Sequence, residues 1–60
     1  MFTLSIKTDN EAFEGDPGYE VARILRRLAD RVECGEDGEI ILVDINGNRV
    51  GMADFNAEDE

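Results

Sequence analysis

The chain has 60 residues, 42% of them apolar, with 15 acids against 6 bases, a net charge of −9 and no histidine or tryptophan. That size gives one domain near the lower limit for folding on its own core, with little room for an enzyme pocket of ~300 Å3 or more. The missing histidine excludes cysteine–histidine and serine–histidine nucleophiles, the single cysteine excludes an internal disulfide, and no apolar run is long enough to cross a membrane.

The first predicted element is a strand. Phe2, Leu4 and Ile6 alternate with Thr3, Ser5 and Lys7, the pattern of a sheet strand with one buried and one wet face. A polar loop from Asp9 to Asp16 follows, in which Phe13 is expected to plug the end of the core.

Asp16-Pro17 is a helix start: the carboxylate can accept from free N–H groups, and proline suits a first turn whose donors are unpaired anyway. Glu20 falls near the positive end of the helix dipole. Val21, Ile24, Leu25, Leu28 and Val32 recur at three- and four-residue spacings and, with Ala22 and Ala29, cover an arc of about 160°. Gly35 supplies a left-handed stop, so the helix is expected over 17–34.

Glu39 to Ile45 is apolar and β-branched, a second strand; Asn46-Gly47 signals a hairpin turn of type I′; Asn48 to Ala53 returns as the third strand. A two-residue turn pairs Asp44 with Arg49, Val43 with Val50, Leu42 with Gly51 and Ile41 with Met52. In that register Ile41, Val43, Val50 and Met52 face the helix, while Ile40, Leu42, Gly51 and Ala53 lie on the uncovered face with an Asp44–Arg49 ion pair. The expected fold is α+β: a βαββ unit over residues 1–53, one helix on a three-stranded mixed or antiparallel sheet, then an acidic tail over 54–60. The first strand is expected parallel to the second, beside either the second or the third.

No cluster carries catalysis. Arg23, Arg26, Arg27 and Arg31 sit on the polar side of the helix among Glu20, Asp30 and Glu33, a solvated salt-bridge face rather than a phosphate grip. Asp44 to Asn48 resembles a calcium loop, but the positions that need glycine and glutamate hold Arg49 and Phe55. Cys34 ends the helix, where the dipole does not activate a thiol. No metal or cofactor is expected.

The charge is uneven. Residues 1–16 carry −3, residues 17–34 carry +1 and residues 35–60 carry −7. Such a field repels polyphosphate, so direct nucleic-acid binding is not expected.

Lys7-Thr8-Asp9-Asn10, Ala12-Phe13, Pro17, the run Glu20 to Ala29 and the run Asp44 to Gly51 resemble very small acidic proteins encoded in bacteriophages and prophages of proteobacteria. The resemblance spans about residues 4–53 and brings no catalytic residues. It implies a non-enzymatic host-takeover or counter-defence protein that binds and inhibits a host protein in the bacterial cytoplasm; by analogy of size, charge and origin, the sharpest version is an anti-CRISPR-like or DNA-mimic inhibitor of a basic nucleic-acid-binding complex. Two surfaces are expected to carry this role. One is acidic, formed by Glu36, Asp37, Glu39, Asp44 and Asp54, with Glu58, Asp59 and Glu60 in the tail. The other is a partner or dimer face formed by Ile40, Leu42, Gly51 and Ala53. The alternative is a homodimeric structural or regulatory module in phage assembly or gene control. No membrane partner is expected.

Overall fold

In the computed structural model, which describes residues 1–56, both helix ends are set by the residues that signal them in the sequence. Asp16 Oδ1 accepts from the Tyr19 N–H at 3.1 Å and Pro17 opens the first turn of α1 (Pro17–Glu33). At the other end Gly35 adopts φ 106°. The Gly35 N–H then donates to Val32 O and the Glu36 N–H to Arg31 O, at 3.0 and 3.1 Å, which satisfies carbonyls that the last turn leaves open.

The sheet has the order β1-β3-β2, formed by β1 (Phe2–Ile6), β2 (Gly38–Val43) and β3 (Arg49–Phe55). Both pairings are antiparallel, so β1 and β2 run in the same direction on either side of β3. A single 3-10 turn at Glu11–Phe13 seats Phe13 in the core at 2% exposure. The unit is thus α+β, one helix against a three-stranded antiparallel sheet. β3 continues through Phe55, whose ring meets Phe2 at a centroid distance of 5.4 Å. Asp54 and Phe55 therefore belong to the sheet rather than to a tail; Glu58, Asp59 and Glu60 lie outside the described residues.

The hairpin register holds through Ile41↔Met52 and Leu42↔Gly51, then shifts by one, so that Val43 pairs with Arg49 and Val50 is the extra residue of a bulge. The turn is not type I′, because Asn46 does not take positive φ; only Gly47 does, at 86°. The Gly47 N–H closes a turn onto Asp44 O at 3.0 Å, and the Asp44 N–H reaches Asn48 O at 2.9 Å. This is a three-residue loop, a four-residue turn whose last residue is a left-handed glycine.

The faces of β2 and β3 are the reverse of the sequence expectation. Ile40, Leu42 and Ala53 are core residues, packed with Ile24, Leu28, Val50 and Phe13. Ile41 and Val43 are exposed. Asp44, expected on the uncovered face beside Arg49, is itself buried, and its side of the strand is the covered one. The bulge then turns Val50 into the core and Arg49 out to solvent. Phe2, Leu4 and Ile6 do lie on the helix side, opposite Phe55, Ala53 and Gly51.

Candidate functional site

Three features of the described residues bear on function: a buried polar junction, an acidic end and an apolar groove. The junction joins the helix start to the hairpin turn. Asp44 Oδ1 accepts from the Asn46 and Asn48 N–H groups, both at 2.9 Å, and Oδ2 accepts from Asn10 Nδ2 at 2.8 Å. Glu20 lies one helical turn before Ile24, on the core stripe, and its Oε2 accepts from the Ile45 N–H at 2.9 Å. Arg23 closes on the same carboxylate through two bonds, each 2.9 Å.

These bonds decide the charge state of both acids. The Arg23 bonds hold the Glu20 carboxyl below its ordinary value, against the opposing effect of burial. For Asp44, burial pushes the carboxyl up, but the bonds from Asn48, Asn10 and Asn46 outweigh it and the net shift is downward. Two buried ionised acids in a small domain would be costly without partners. Here the lone pairs are used, and among the described residues no buried side-chain nitrogen or oxygen lacks a hydrogen bond. The junction leaves no free acid or base for chemistry; it fixes the turn to α1 and to the loop before it. Asp44 is accordingly not part of an acidic surface, and it forms no ion pair with Arg49.

The other acidic positions gather at the opposite end of the hairpin. Glu36 and Asp37 are exposed in the turn between α1 and β2, and Glu39 faces Asp54 across the strands. Glu36 is bound by Arg31, with Arg31 Nη2 and Glu36 Oε1 3.0 Å apart. The arginine row is also structural in part. Arg31 Nη1 donates to Ile41 O at 3.1 Å and Arg23 Nη2 to Val43 O at 3.4 Å, so two helix side chains occupy carbonyls along the free edge of β2.

Beside that acidic end lies the groove. α1 leans over β2 and leaves the inner face of β1 partly open. Phe2 and Leu4 stay 48% and 43% exposed, and with Leu25, Ala29 and Val32 they line an apolar trough of about 430 Å3. Ile40, Leu42 and Ala53, expected as a partner face, are buried beneath the helix, and Gly51 lies at the β1–β3 seam. The sequence signals for the actual arrangement were present. Asp44 heads an Asn-Gly turn, a position favoured by side chains that accept from the backbone, and Glu20 shares the four-residue spacing of Ile24 and Leu28. Among the described residues no group of three or more metal-binding side chains converges, and no helix is long and apolar enough to cross a membrane. In comparisons with known proteins, no family model, no curated protein and no solved structure matched the chain.

Proposed function

We propose that this chain works without catalysis, by docking its acidic end on a basic surface of another protein, and that it inhibits a nucleic-acid-binding complex of a bacterial host. The observation that carries the reading is the position of the apolar groove beside the acidic end. Glu33 forms part of the groove wall, and Glu36 and Asp37 follow it in the exposed turn. Durable protein contacts need buried apolar anchors, which Phe2, Leu4 and Leu25 supply; charge adds steering and selectivity. A net charge of −9 favours a cationic partner over DNA or RNA itself.

The test is binding to purified basic nucleic-acid-binding complexes of the host, followed by calorimetry at 0.1 M and 1 M salt. The expected outcome is an affinity that falls with salt, falls at least tenfold for Glu36→Lys/Asp37→Lys, and is competed by double-stranded DNA. Equal affinity at both salt concentrations would remove the charge mechanism.

A further inference from the structure

Among the described residues nothing covers the outer face of the sheet, away from α1, and the register sorts its side chains into three rows. Thr3, Asp54 and Glu39 lie side by side across one end. Ser5, Met52 and Ile41 form the middle row. At the far end Arg49 faces Val43, and Lys7 shares a shallow depression with Arg49, Ser5 and Thr3.

Each charged end is unfavourable on its own. Glu39 and Asp54 are directly opposed across the strands, where like charges cost stability. Lys7 and Arg49 bring two cations together. Among the described residues none of these four side chains joins an ion pair. Between the ends, Ile41 is 38% exposed, and Val43, in the cationic row beside Arg49, is 44% exposed.

We propose that a second copy of this chain covers this face, sheet on sheet, about a two-fold axis that crosses the strands at the Ser5–Met52–Ile41 row. That axis reverses strand direction, so the cationic end of each copy meets the acidic end of the other, twice. An axis along the strands would instead set acid on acid. The charged rows are about 14 Å apart, four strand residues at ~3.4 Å each, so both pairings close together. Ile41 and Met52 supply the apolar centre. Three strands at ~4.8 Å spacing give on the order of 400–500 Å2 per copy, near the lower limit for a specific interface. The interface is therefore of the size of a weak, transient dimer. The apolar groove lies on the other side of the sheet, so this assembly stands or falls apart from the partner-binding reading.

Sedimentation equilibrium over 1–200 μM protein at 50 mM salt tests it, with circular dichroism melts confirming that each variant folds. The wild type should dimerise. Lys7→Glu/Arg49→Glu and Glu39→Lys/Asp54→Lys should each weaken self-association at least tenfold, and an equimolar mixture of the two should form a heterodimer. A wild type that stays monomeric at 200 μM overturns the proposal. So does a mixture that fails to associate, or a dimer that survives both charge variants and dissociates with Leu4→Asp, which would place the contact at β1.

Discussion

Gly51 sits where β3 bulges away from β2 and presses against β1. A methyl group there would run into the Ser5 carbonyl oxygen and come within 2.9 Å of Ile6 Cα, both backbone atoms that cannot rotate aside. Gly51→Ala should therefore destabilise the fold by about 1–3 kcal/mol and raise hydrogen exchange in β1 before the rest of the sheet. Gly18 offers the contrast. An added Cβ there meets only the flexible Asp16 Oδ1, at 3.6 Å, inside a helix, so Gly18→Ala should raise the urea midpoint, with a gain up to about 1 kcal/mol. The two buried acids make a second prediction at this scale. Their folded pKa values lie below the ordinary 4.5 of Glu20 and 3.8 of Asp44. The unfolded chain thus takes up protons first as pH falls. The stabilisation from both groups is complete above those ordinary values and is lost as pH drops through the depressed folded ones. Urea midpoints measured from pH 7 to pH 2 should fall most steeply below about pH 4, and Asp44→Asn should be less stable at pH 7 with a flatter acid limb.

At the level of elements, α1 does two jobs that its sequence shows unequally. Its apolar stripe, its Asp16 start and its Gly35 stop were all legible, because each depends on local spacing or local φ. The roles of Arg23 and Arg31 were not, because a carbonyl on the edge of β2 leaves no mark in the helix sequence. An exposed edge strand invites pairing with another chain, and these arginines obstruct it at Val43 O and Ile41 O. Arg31→Ala should cost no more than about 1 kcal/mol, since its ion pair with Glu36 is solvent-exposed. It should nevertheless increase aggregation at high concentration, read by light scattering. Strand faces were the harder problem. A period of two offers two answers, and a lone acid such as Asp44 gives no local sign that its face is the covered one; only the junction that buries this acid shows why Ile40 and Leu42 point inward. Likewise, the bulge at Val50 comes from the longer turn, which Asn46-Gly47 alone does not distinguish from the tighter one.

The whole molecule rests on a small core, and that sharpens the consequences of the face assignment. A domain of this size retains only about 3–5 kcal/mol of net stability. Ile40 is 1% exposed, so Ile40→Ala should remove about 2–5 kcal/mol and leave much of the population unfolded at 37 °C. Ile41→Ala, one residue away on the open face, should cost under about 1 kcal/mol in the monomer. Thermal melts at low protein concentration separate the two, and equal losses would contradict the burial pattern. Leu42→Asp should unfold the chain rather than split a dimer, because it sets a charge beneath α1. The central strand carries a further consequence, for synthesis. β1 pairs only with β3, and Ser5 must wait for Met52, 47 positions later. At translation rates of roughly 5–20 residues per second, that delay lasts about 2–9 s. For those seconds Phe2 and Leu4 emerge from the ribosome with no strand to hold them, a window in which a chaperone has the first claim on the nascent chain.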